Sequence, residues 1–173
     1  MRAAQRPGNP PNSAPHSLHP LVMSEYLSRP LTTGEISLAR SIFRDAIDYR
    51  KVFLIRGKWW PFQPRGSAMA PTGNIWFHPD GGGWSSDFSA EPLSTQAYFI
   101  HELTHVWQAQ RGGRLFLPLM RHPFCRYDYR LTEGKPFNHY GLEQQAEIVR
   151  HRFLADRGAQ VPVVPPREML PFA

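Results

Sequence analysis

The sequence predicts an α+β domain. Two observations carry that reading. Apolar residues recur at helical spacing in three separated segments, and two short runs rich in β-branched and aromatic residues lie between the first two. The resulting order is helix, strands, helix, loop, helix, which segregates the strands from most of the helices. With 173 residues, 41% of them hydrophobic and 20% charged, the chain can bury one core and hardly two. That core is placed at 31–160. Residues 1–30, rich in Pro, Ser, Asn and Arg, read as a flexible tail. Residues 161–173 read as an extended end, set by the Val161–Pro166 run (VPVVPP).

The elements follow in order. Thr32 and Glu35 have capping-box spacing, and Ile36, Ala39, Ile42, Phe43 and Ala46 keep helical period, so a helix is expected over 34–47. The runs 51–56 (KVFLIR) and 74–78 (NIWFH) read as strands, the second closed by Pro79 and glycines 81–83. A helix over 95–110 would be capped by Ser94 or Thr95 and stopped by Gly112-Gly113. Residues 114–140, with Pro118, Pro123 and Pro136, look irregular. A last helix over 142–157 aligns Leu142, Ala146, Val149 and Phe153 on one face and stops at Gly158.

Composition excludes several classes of function. The single cysteine, Cys125, rules out an internal disulfide and a Cys-rich zinc knuckle, and its default is a buried structural thiol. The formal charge is +6 and the pI about 9.9, which suits an anionic partner or a solvated basic surface. The cations are scattered, so no dedicated nucleic-acid arm is expected. No run of apolar residues is long enough to span a membrane. The first twenty residues lack the apolar core of a Sec signal peptide, so synthesis in the cytoplasm is expected.

The chemistry concentrates in His101-Glu102-Leu103-Thr104-His105. On a helix, His101 and His105 are i and i+4 and share a face, where two neutral imidazoles can hold one Zn²⁺ at about 2.0–2.1 Å. Glu102 is rotated about 100° from the first histidine, within reach of the open side of such a metal, where a general base belongs. With 8 His and 8 Glu in the chain, chance gives roughly 0.017 such motifs, so the spacing is informative. The last helix adds Glu143 and Glu147, again i and i+4. If Glu143 binds the metal, Glu147 can accept from the far nitrogen of a ligand histidine. The small Ala146 permits close packing of the two helices.

HExxH followed by a Glu in an ExxA[DE]-like helix resembles the gluzincin branch of the zincin metallopeptidases. The segments LTTGEISLARSIFRDAIDYRKVFL, NIWFHP, HELTHVWQAQ and GLEQQAEIV are similar to Vgr-related metallopeptidase domains linked to type VI secretion. These include C-terminal toxin domains of valine–glycine repeat spike proteins. The resemblance spans about residues 31–157. It implies a zincin-like fold: a small sheet packed against the HExxH helix and a second, glutamate-bearing helix. It also implies Zn²⁺ held by His101, His105 and Glu143, with Glu102 as catalytic base. Glu147 stands where many gluzincins carry Asp. The implied role is an antibacterial effector, exported by type VI secretion to cleave a protein or cell-wall peptide in a target periplasm. A spike component and an immunity protein are the implied partners. The alternatives are a cytoplasmic regulatory protease or a non-catalytic zinc-binding adaptor of a secretion system.

Secondary candidates are less specific. Tyr127, Tyr129, His139 and Tyr140 precede the last helix, and one could stabilise an oxyanion. The 74–78 strand could pair with an extended substrate as an edge strand, or sit in the core. Trp59-Trp60 reads as core or rim packing, or as a cleft floor. Gly81–Gly83 lacks the Lys-Ser/Thr of a phosphate loop and reads as a flexible lip. His16, His19, His78, His122 and His151 have no ligand partners at useful spacing.

Overall fold

A computed structural model describes residues 27–112 and 127–172. The readings of Cys125, His16, His19, His122 and the prolines at 118 and 123 fall outside the described residues. Strand β1 (Leu27–Pro30) leads into helix α1 (Thr33–Phe43), followed by β2 (Phe53–Arg56), β3 (Ala68–Met69) and β4 (Ile75–Phe77). Then come the long helix α2 (Leu93–Gly112) and helix α3 (Leu142–Ala155). Short 3-10 turns lie at Tyr49–Lys51, Phe88–Ala90, Phe137–His139 and Arg167–Met169. The class is α+β, with a small mixed sheet and three α-helices among the described residues.

The sheet runs β1-β2-β4-β3. The outer pairs are antiparallel and the central β2–β4 pair is parallel, with Leu54 opposite Ile75 and Ile55 opposite Trp76. β4 therefore lies inside the sheet, and the edge beside it is β3. This corrects the edge-strand reading of 74–78: Ile75 and Phe77 are buried, as a central strand requires.

The capping box of α1 forms as its spacing demands. The Glu35 amide donates to Thr32 Oγ1 at 3.0 Å, and the Thr32 amide donates to Glu35 Oε2 at 2.8 Å. The helix ends at Phe43, four residues before the expected end, because Arg44 takes φ +51°. Ala46 is exposed there, and Ile47 enters the core from the following turn instead. In α2, neither Ser94 nor Thr95 is the cap. The helix starts at Leu93, and the Pro92 carbonyl accepts from the Thr95 and Gln96 amides. α3 ends at Ala155, two residues before the expected end, and Gly158 takes φ +74° in the turn that follows.

The boundaries drawn from composition also move. Leu27–Pro30, read as tail, is a sheet strand. Its anchor is Arg29, which reaches the fully buried Glu35 through two bonds of 2.7 and 2.8 Å and donates to the Ser85 carbonyl at 2.8 Å. Glu35 also accepts from the Phe88 amide at 2.9 Å. One carboxylate thus ties β1, the start of α1 and the Phe88 turn. At the other end, Leu170 and Phe172 are buried, and the Phe172 ring lies 4.9 Å from Phe43 and 5.4 Å from Trp107. The proline-rich run before them and the Arg167–Met169 turn bring these side chains back to the core.

A column of rings fastens the sheet to the long helix. Phe77 of β4 stacks on Phe88 at 5.3 Å, and Phe88 stacks on Phe99 of α2 at 4.6 Å with planes 3° apart. All three are buried. This column holds α2 in register two residues before His101.

Removing Arg29 would strand a buried charge at the junction of three elements. Arg29→Ala should therefore lower unfolding free energy by about 3–5 kcal/mol. Urea titration checks this; a loss near zero for Arg29→Ala would show that the ion pair contributes little.

Candidate metal centre

Helix α2 is buried along almost its whole middle, from Phe99 to Ala109, because it is covered by the sheet side and by α3. Ala146, fully buried on α3, lets the two helices close up. That packing brings His101 and His105 of α2 against Glu143 of α3, and all three are buried. His101 Nε2 and His105 Nε2 are 3.3 Å apart. Glu143 Oε2 lies 3.3 Å from the first and 3.1 Å from the second. The triangle is nearly equilateral. Tetrahedral coordination at bond lengths of about 2.0–2.2 Å has ligand–ligand edges of about 3.3–3.6 Å. The three donors thus have the spacing of one face of such a tetrahedron.

Their protonation can be worked out from the groups behind them. Gln145 Nε2 donates to the Tyr140 carbonyl at 2.7 Å, so Gln145 Oε1 is free to accept from Gln108 Nε2 at 3.0 Å. Gln108 Nε2 also donates to the Leu142 carbonyl at 3.1 Å. The Gln108 oxygen therefore faces His105 Nδ1, 2.8 Å away, and that nitrogen must carry the hydrogen. On His101, the Nδ1 atom lies 2.9 Å from Glu147 Oε1, an ion-pair contact with the N–H off the straight line to the oxygen. Both imidazoles thus keep hydrogen on Nδ1, which leaves both Nε2 atoms facing a carboxylate oxygen and each other, open to a metal or a proton. Three acceptors converging at hydrogen-bond distance call for a cation between them. Without a metal, a proton on His101 meets the same demand. Burial opposes its charge, but Glu143 and Glu147 outweigh that and raise its pKa to about 9. The residues present fit a divalent metal with nitrogen and oxygen ligands.

Glu102 is not part of the triangle. It is 3% exposed, and its Oε2 is buried with no hydrogen-bond partner among the described residues. With His101 it lines a cleft of about 340 Å³, whose other walls include Gly66–Ala68, Tyr127 and Arg150. A larger depression of about 640 Å³ between Asp48, Asn74 and Arg111 shares no residue with the triad.

The aromatic candidates separate. Tyr127 stands over the site, its ring 6.2 Å from the His101 ring and tilted 18° from parallel. Tyr129 donates to His151 Nδ1 at 2.7 Å, with its own pKa raised by burial. Tyr140 is buried, its hydroxyl engaged by the Thr132 amide and the Arg130 carbonyl. His139 is exposed at the end of a turn. None of these three lines the cleft. His151, set aside for want of spacing, sits 3.7 Å from Glu147. Arg150 contacts the same carboxylate at 2.7 Å, and these neighbours with His101 keep Glu147 ionised against the cost of its burial. Sequence reasoning missed Gln108 and Gln145. The available signal was Gln108 at i+3 from His105, one turn on along the same face.

Two measurements test the ligand arrangement. Glu143→Ala should bind Zn²⁺ far more weakly than Glu147→Ala, read by competition with a chelator. Gln108→Leu should weaken binding by about 10–100-fold, because His105 loses the partner that fixes its tautomer. Equal affinity for Gln108→Leu and the parent would sever Gln108 from the centre.

No family model matches the chain. The chain is 43% identical over 132 residues to the type VI secretion system spike protein VgrG2b of Pseudomonas aeruginosa. That match covers 73% of this chain but only 13% of the spike protein's length. Its fold is similar to the solved effector domain of Pseudomonas aeruginosa VgrG2b, with a TM-score of 0.66 at 41% identity, covering 75% of each chain. Identity at that level across three quarters of both chains means that this chain belongs to the family of the VgrG2b effector domain.

Proposed function

We propose that the chain is a zinc-dependent metallopeptidase with a zincin-like site, acting as a type VI secretion effector. The observation that supports this best is the set of three converging acceptors, each histidine backed by an acceptor at its far nitrogen, with a buried carboxylate beside them that they do not use. His101, His105 and Glu143 would hold the zinc, and Glu147, Gln108 and Gln145 would orient the imidazoles. The zinc supplies Lewis acidity to water and to a peptide carbonyl.

The remaining work falls to the protein's own groups. Glu102 takes a proton from the attacking water and returns it to the nitrogen of the departing amine. Buried beside His101 and lining the same cleft, its carboxylate would face the reacting atoms. Tyr127, on the cleft wall, would donate to the developing oxyanion, whereas the Tyr129 and Tyr140 hydroxyls are engaged with other partners and His139 lies outside the cleft lining. An extended peptide would lie along the Gly66–Ala68 wall, at the β3 edge of the sheet.

The relative's name places the spike protein in the type VI system, and the family membership carries an effector role to this chain as a proposal. The substrate is then a protein or cell-wall peptide of a target cell's periplasm. A spike component would deliver the chain, and an immunity protein would protect the producer.

Glu102→Gln tests the mechanism. It should keep the fold and bind about one zinc per chain, yet lose hydrolysis by about 10²-fold or more. Expressed with a periplasmic targeting signal, it should also fail to kill a sensitive bacterium. A folded, zinc-loaded Glu102→Gln protein that kills as well as the parent would reject the peptidase mechanism and leave a zinc-binding adaptor in its place.

A further inference from the structure

The loop joining β2 to β3 keeps aromatic side chains in water. Trp59, Trp60 and Phe62 are 40%, 44% and 78% exposed. Trp60 and Phe62 meet edge to face at 5.5 Å, while Trp59 leans on Trp76 at 5.7 Å. Neither core packing nor a cleft floor describes this arrangement.

The loop is not slack. Gln63, 4% exposed, accepts from the Trp59 amide at 2.8 Å and donates to the Ser67 and Trp76 carbonyls at 3.1 and 3.2 Å. Pro61 and Pro64 fix backbone torsions on either side of it. A buried glutamine thus braces a turn whose aromatic tip stays outside, and the tip loses little freedom on meeting a partner.

Charge says which partner. Lys58 and Arg65 flank the tip, both exposed and without an ion pair among the described residues. Arg56, also exposed, directs its guanidinium to the Pro79 carbonyl. Asp80, on the adjoining turn, faces His78 at 4.0 Å. The chain as a whole carries a formal +6. A protruding tip of Trp and Phe bordered by Lys and Arg matches the chemistry of a bilayer interface. Aromatic rings sit at headgroup level there, and cations meet lipid phosphates.

We infer that this loop docks the protein on an anionic lipid surface, with Trp60 and Phe62 entering the headgroup–acyl boundary and Lys58 and Arg65 against the phosphates. The loop runs directly into Gly66–Ala68, a wall of the cleft that holds His101 and Glu102. Docking therefore sets that cleft at the membrane surface and favours substrates within reach of it. The docking itself does not depend on the chemistry at the triad.

The test uses the full chain and vesicle flotation. The parent and Glu102→Gln should both float with phosphatidylcholine vesicles holding about 30% phosphatidylglycerol, and more weakly as salt rises or when the anionic lipid is left out. Trp60→Ser/Phe62→Ser, with an unchanged melting temperature, should bind about tenfold or more weakly. Tryptophan fluorescence of the parent should be quenched by lipids brominated near the headgroup, a readout that needs no variant. Absence of binding to the anionic vesicles would overturn the inference. So would a double variant that binds as the parent does but turns over soluble peptide poorly, which would make the loop a substrate rim.

Discussion

Three acceptor atoms meet where α2 packs on α3, and the surrounding structure is organised to hold them there. Lone pairs on His101, His105 and Glu143 at 3.1–3.3 Å repel one another unless positive charge lies between them. Burial raises that cost, since water cannot screen the site. The helices must therefore be kept together by packing elsewhere. The Phe77–Phe88–Phe99 column, the close approach at Ala146 and the C-terminal segment ending in Phe172 supply that packing. A bound cation would add to it, so metal binding and stability of the α2–α3 pair are linked.

The groups behind the triangle do different jobs on its two histidines. His105 is backed by neutral amides in a chain, from the Tyr140 carbonyl through Gln145 to Gln108. His101 is backed by the Glu147 carboxylate, which also contacts Arg150 and lies near His151. One imidazole is thus oriented without added charge, and the other is made more basic by an anion. Glu147 is half-buried and is contacted by Arg150 and two imidazoles, while Glu143 is fully buried against the two histidines. This division explains how two carboxylates four residues apart on one helix can take unlike roles.

Local rules made part of this legible in the sequence. The i and i+4 spacings on α2 and α3 bring His101 with His105, and Glu143 with Glu147, onto shared faces, and the Thr32–Glu35 box is a contact within one turn. What escaped was tertiary. β1 and β3 have four and two residues, too short to show a period, and β1 is defined by an ion pair to Glu35 rather than by apolar content. The ends of the domain were misplaced for the same reason: Arg29 and Phe172 belong to the fold through distant partners. Gln108 and Gln145 look like ordinary polar helix residues until the backbone carbonyls of Tyr140 and Leu142 fix which way their amides face.

The central claim is that one metal sits on one face formed by His101, His105 and Glu143. Anomalous diffraction at the zinc edge, from crystals of zinc-loaded protein, tests it most directly. The account predicts a single strong peak in this region, about 2.0–2.2 Å from His101 Nε2, His105 Nε2 and Glu143 Oε2, with Glu147 outside bonding distance. A peak bonded to Glu147 in place of Glu143, or no peak at the two histidines, would contradict it.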